Sequence, residues 1–117
     1  MAGQKPQQQE PPKEQEPPEE DVTSKEKEYS FNPLQAANEV KIGQFYMKRG
    51  SYKAAAGRFE EATKWDPGSA EAFLRLGEAR EKLKDKKGAR EAYAKFLQLA
   101  PDDKNADAIR KKVGQGH

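Results

Sequence analysis

Cysteine is absent from this chain of 117 residues, which removes disulfides, thiolate nucleophiles and cysteine-ligated zinc. Histidine occurs once, as His117 at the end of the segment GQGH, where nothing positions it for chemistry. The spacings CxxC, HExxH, GxGxxG and GxxxxGK[ST] do not occur. The neighbouring acids Glu60 and Glu61 would point about 100° apart on a helix, unsuited to a paired acid–base role. No catalytic residue, metal site or cofactor is therefore expected, and the chain does not read as an enzyme. Long apolar runs are missing too: none approaches the ~20 residues that cross a bilayer, so no membrane span is expected. The opening MAGQKPQQQE has no apolar h-region, so no signal peptide is expected within it. A cytoplasmic location is the default, with the cell envelope or periplasm as the alternative had a leader been removed.

Hydrophobic residues make up only 33% of the chain and charged ones 36%, so any core is small and one domain is the limit. The net charge of +2 conceals a division. Residues 1–30 carry four lysines against eight acids, net −4, and the remainder carries 18 basic and 12 acidic residues, net +6. Residues 1–28 are Gln, Glu, Pro and Lys with hardly an apolar side chain. They cannot bury enough surface to offset the entropy of ordering, so 1–30 is read as a disordered acidic tail. It serves as plain solvated chain or as an arm that visits the basic body. Order is expected to begin near Tyr29–Phe31, with Asn32 as N-cap and Pro33 as first helical residue.

Sliding the sequence on itself by 34 brings Gly43 onto Gly77, Ala55 onto Ala89 and Pro67 onto Pro101. Ala36, Lys48 and Lys53 meet Ala70, Lys82 and Lys87, and Phe59 meets Tyr93. Each unit reads as a helical hairpin. Helices are predicted over about 33–49 and 52–65, separated by Gly50 and capped by Ser51. After the turn Asp66-Pro67-Gly68, two more follow over about 70–83 and 86–100, capped by Ser69 and Asp85. Pro101-Asp102-Asp103 repeats the turn before a last helix, about 104–113, with Ala106, Ile109 and Val113 on one face. A glycine inside a helix costs about 1 kcal/mol relative to alanine. Gly43 opposite Ala55 would offset this by letting two helix axes approach closely, with large rings filling the space beside them.

The pattern resembles the tetratricopeptide repeat family. The matching positions are Ile42, Gly43, Tyr46, Ala55, Phe59, Ala62 and Pro67 in the first unit. In the second they are Phe73, Leu76, Gly77, Arg80, Ala89, Tyr93, Phe96 and Pro101. Glu39 stands at the first unit's aromatic position, as a solvent-facing helix would allow. Arg80 replaces a tyrosine and Phe96 an alanine, so packing there must be rearranged. The resemblance implies an all-α helix–turn–helix solenoid of two 34-residue repeats (about 36–69 and 70–103) with a C-terminal capping helix, in a domain over 31–117. Repeat one, IGQFYMKRGSYKAAAGRFEEA, is also similar to bacterial outer-membrane assembly lipoproteins, a hint of bacterial origin without the lipidated cysteine those proteins use.

The resemblance further implies a protein–protein interaction module, an adaptor or scaffold, with a groove along the first helix of each hairpin. Its candidate residues are Val40, Gln44, Met47 and Lys48 in unit one and Leu74, Glu78 and Lys82 in unit two, facing a peptide or helix of another protein. A family subgroup grips a chaperone's C-terminal carboxylate with Lys and Asn at positions that here hold Val40, Gln44 and Arg75. That clamp is not formed, and its ligand is not expected. The alternative is a structural module that stacks on a second copy as a homodimer. Nucleic-acid binding through the basic stretch Lys82–Arg90 is remote, because acids interrupt it and no aromatic ladder accompanies it.

Overall fold

The structure is a computed structural model and describes residues 28–114. The expected tail up to residue 27 and the terminal residues 115–117 lie outside the described residues. Five helices and no strands make up the described chain: α1 Pro33–Lys48, α2 Tyr52–Trp65, α3 Ala70–Lys82, α4 Lys86–Leu99 and α5 Ala106–Gly114. α1 packs on α2 and α3 on α4 as antiparallel hairpins; α2 packs on α3, and α5 closes the far side against α4. This is the all-α repeat solenoid with a terminal helix that the 34-residue echo implied.

Local chemistry sets the boundaries. Asn32 Oδ1 accepts from Gln35 N–H at 3.0 Å, and Pro33 opens α1 where no amide donor is needed. The Ser69 hydroxyl accepts from Ala72 N–H at 3.2 Å, and Asp85 Oδ1 from Gly88 N–H at 2.9 Å. Ser51 holds the N-cap position of α2, yet its side chain makes no capping hydrogen bond. Gly50 ends α1 with a left-handed backbone, φ 78°, which glycine adopts without steric cost. One repeat later the same left-handed position is taken by Lys84, φ 67°, a conformation that is uncommon for a residue with a Cβ.

Two clusters form the core. One joins α1, α2 and α3 through Ala36, Tyr46, Ala55, Phe59, Ala62 and Leu76; the other joins α3, α4 and α5 through Leu74, Ala89, Tyr93, Phe96 and Ile109. The glycines act more directly than the spacing predicts. The ring does not sit beside a glycine–alanine contact; it lies over the glycine itself. A Cβ on Gly43 would come within 3.0 Å of three carbons of the Phe59 ring, and one on Gly77 equally close to Tyr93. Phe59 and Tyr93 are consequently almost fully buried, at 0% and 1% exposure.

The three departures from the family pattern each have a structural resolution. Glu39 is not solvent-facing: it is buried, and its carboxylate pairs with the equally buried Arg58 (Oε1 to Nη1, 3.1 Å) while accepting from Gln35 Nε2 at 2.9 Å. The residues 34 positions on are Phe73 and Ala92, so repeat one places an ion pair where repeat two has two apolar residues. Arg80 ties three helices together, bonding Glu60 of α2 at 2.7 Å and the Gly88 carbonyl at the start of α4 at 3.1 Å. Phe96 fills the space toward α5 and is 1% exposed, in the same cluster as Ile109.

Gly43→Ala is expected to destabilise the protein by about 1–3 kcal/mol, the usual range for overpacking. Adding Phe59→Leu should make the alanine less costly than it is alone, a coupling that thermal unfolding by circular dichroism measures. Glu39→Ala should cost about 3–5 kcal/mol by removing one partner of a buried pair, whereas Glu39→Phe with Arg58→Ala, which copies repeat two, should cost less than the single change. Urea titrations of both variants check this.

Candidate interaction surface

The residues expected to line a groove lie on α1 and α3, and the structure sorts them into two sets. Val40 and Leu74 are 7% and 5% exposed and belong to the two core clusters, Leu74 alongside Ile109 of α5. They hold helices together and offer a partner little surface. Gln44, Met47 and Glu78 are half-buried, and Lys48 and Lys82 are exposed. The accessible part of the face is therefore polar and amphipathic, with Met47 as its apolar element, packed at the edge of the first core cluster. The repeat-packing residues divide similarly. Gly43, Tyr46, Ala55, Phe59, Gly77, Ala89 and Tyr93 are buried, Phe73 is half-buried, and Pro67 and Pro101 are exposed at the turns.

Ion pairs fix the charges on this face. Arg75 bonds Glu78 at 3.1 Å one turn on and lies 3.6 Å from Glu71. Lys82 sits over the Tyr52 ring at 5.8 Å, joining the end of α3 to the start of α2. Glu81 accepts from the Tyr93 hydroxyl at 2.7 Å and from Lys112 of α5 at 3.0 Å. Burial alone would raise the Glu81 carboxyl, but these two hydrogen bonds and the positive charges of Lys112 and Lys82 hold it below its ordinary value. The Tyr93 hydroxyl is pushed far above the usual tyrosine range by burial, then by its bond to Glu81 and the charges of Glu81 and Glu78.

Sequence reasoning missed two features. Tyr29, ahead of α1, packs edge-on against Trp65 at the end of α2 with ring centroids 5.0 Å apart, and its hydroxyl donates to Glu61 at 2.6 Å. Asn32 N–H bonds the Trp65 carbonyl at 2.9 Å. Segment 29–32 thus straps the first repeat; the signal for it was the aromatic pair Tyr29 and Trp65, set at sequence distance. The second feature is a cleft of about 280 Å³ on the outer side, between α2, α3 and α4, lined by Thr63, Lys64, Phe73 and Leu76 and crossed by the Glu60–Arg80 pair. Among the described residues, no group of three or more His, Cys, Asp or Glu is placed to hold a metal ion, and no helix is long and apolar enough to cross a membrane.

The comparisons agree with this geometry. The tetratricopeptide repeat family model matches residues 40–104, more than half of the chain. The chain belongs to the tetratricopeptide repeat family. It is also 36% identical over 80 residues to the heat-shock protein cognate (HSC) co-chaperone sgt12 of Aspergillus fumigatus, covering 68% of this chain and 22% of that protein. The chain thus spans about a fifth of the relative's length. That relative is fungal, and the bacterial origin expected from repeat one gains no support from it. Tetratricopeptide repeat membership supports a protein–protein interaction module in general, and points to a non-catalytic one.

The Tyr29 clasp makes stability depend on alkaline pH. Burial, the bond to Glu61 and the negative charges of Glu61 and Glu39 push its hydroxyl from 10.0 up to about 12. The folded state therefore holds its proton where the unfolded chain has lost it. This contribution is complete below about pH 10 and is lost as pH rises toward 12. Urea unfolding across that window should show a shallower loss in Tyr29→Phe than in the parent, with Tyr93 contributing equally to both.

Proposed function

We propose that this chain binds a peptide or helix of a protein partner along the inner face of α1 and α3, as an adaptor or assembly scaffold. The observation that carries the reading is the sorting of side chains on that face. Gln44, Met47, Lys48 and Lys82 stay at the surface on the family's inner positions, while their neighbours Val40 and Leu74 are consumed by the core. A face with one flexible methionine and several polar and charged groups suits an amphipathic segment, the thioether filling irregular apolar contacts and the rest fixing register.

The relative's description as a co-chaperone makes a chaperone-linked partner a reasonable class. Capture of a C-terminal carboxylate by a Lys/Asn clamp is not part of the proposal. Val40 has no charge and lies in the core, Gln44 replaces an asparagine, and the Arg75 guanidinium is engaged by Glu78 and Glu71. A second reading, self-association as a homodimer, is favoured by Phe31 and Leu34, which are 72% and 82% exposed beside each other at the start of α1.

Gln44→Ala, Met47→Ser and Lys82→Ser combined in the full chain should abolish capture of its partners in a pulldown while leaving the circular dichroism spectrum intact. Retention of the same partners would remove the groove reading. Sedimentation of Phe31→Ser/Leu34→Ser beside the parent tests the second reading, which requires a parent dimer that the variant loses.

A further inference from the structure

The inter-helix turns at the two ends of the folded part differ in charge. The α1–α2 turn carries Arg49 and Lys53, and the α3–α4 turn carries Lys84, Lys86 and Lys87, all exposed. The two turns lie at the same end of the solenoid: Lys82, the last residue of α3, covers the ring of Tyr52, the first of α2. The acids at this end are committed. Asp85 caps α4 through Gly88 N–H, and Glu81 is held by Tyr93 and Lys112. Among the described residues Lys53, Lys84 and Lys86 form no ion pair, and Lys87 makes one exposed contact with Glu91 at 3.3 Å. The opposite end carries the turn acids Asp66, Asp102 and Asp103 beside Lys64 and Lys104.

At this end a lysine stands in a backbone conformation that residues with a Cβ rarely adopt. Lys84 occupies the left-handed position that repeat one gives to Gly50. Glycine would relieve that conformation, yet a lysine stands there. Residues that break a local backbone rule without a packing gain are expected at functional places. Lys84 is exposed, so packing gives no reason for it.

We propose that this basic end is a docking surface for an acidic peptide segment, and that the occupant is the chain's own stretch Glu10–Asp21. That stretch, EPPKEQEPPEED, holds six acids and one lysine, net −5, the complement of the surface. Its tether suffices. Tyr29 is anchored at Trp65, and the basic end lies one helix length away, ~20 Å for the 14 residues of α2. From Gln15 to Tyr29 the chain can extend to ~45 Å. Attachment in the same chain supplies a local concentration on the order of millimolar, enough for weak charge pairing to hold. The basic end borders the groove at Lys48 and Lys82 and excludes Gln44 and Met47; the variant used below leaves all four in place, so the two readings are tested separately.

Because the chain has no cysteine, Gln15→Cys gives a single site for a nitroxide label on the full-length protein. Amides of residues 49–54 and 83–88 should broaden selectively by paramagnetic relaxation at low salt. The effect should fade near 1 M salt, where the screening length is about 3 Å. It should also fade in Lys84→Gly/Lys86→Gln, of which the glycine should raise the melting midpoint, so that loss of docking is not loss of fold. No selective broadening, or broadening that salt leaves untouched, overturns the proposal. So does broadening that appears only when labelled chain is mixed with a second, isotopically enriched copy, which would make the occupant another molecule.

Discussion

The stack depends on an aromatic ring packed against a residue with no side chain. Phe59 over Gly43 and Tyr93 over Gly77 set how closely the two helices of each hairpin approach. A chain that is one-third hydrophobic has few large side chains to spend on a core. Placing each ring where a Cβ would otherwise stand buries it completely without widening the gap between helices. The helix propensity lost at each glycine, about 1 kcal/mol, is smaller than the ~1.5–3 kcal/mol that burying a large apolar side chain contributes. The alanines at 55, 62, 89 and 92 work toward the same end, being nearly or fully buried and small.

A solenoid of two repeats has two end faces, and this protein closes them by different means. At the C-terminal end α5 stands in for a third repeat: Ile109 joins Phe96, Tyr93 and Leu74, and Lys112 reaches Glu81. At the N-terminal end, the positions that hold Phe73 and Ala92 in repeat two hold the buried pair Glu39–Arg58, and Tyr29 is strapped across the end of α2. A buried ion pair adds little net stability over apolar residues of similar volume. It does leave this position without the ring that packs against the second core cluster at Phe73.

Polar interactions organise what the small core leaves open. Arg80, in place of an aromatic ring, spans α2, α3 and α4 with two short hydrogen bonds. Glu81 draws together α3, α4 and α5. Both groups lie toward the end of the solenoid where the basic turns meet, so part of the charge there is structural.

Helix number, turn chemistry and the repeat register were all legible in the residues, because they depend on local spacing: Pro33, Pro67 and Pro101 at 34-residue intervals, Asn32, Ser69 and Asp85 as caps, and glycine aligned with glycine. Helix limits came within one or two residues, with Leu99 and Ala106 bounding a longer final turn than the sequence implied. What only the tertiary structure decided was which side chains that share a helix face end in the core and which in solvent. Val40 and Met47 lie two turns apart on one face, yet one is in the core and the other half-exposed; Glu39 reads as a surface acid, yet Arg58, nineteen residues on, makes it an interior one. Periodicity reports the direction in which a side chain leaves its own helix. Burial depends on what another helix, distant in sequence, brings to meet it.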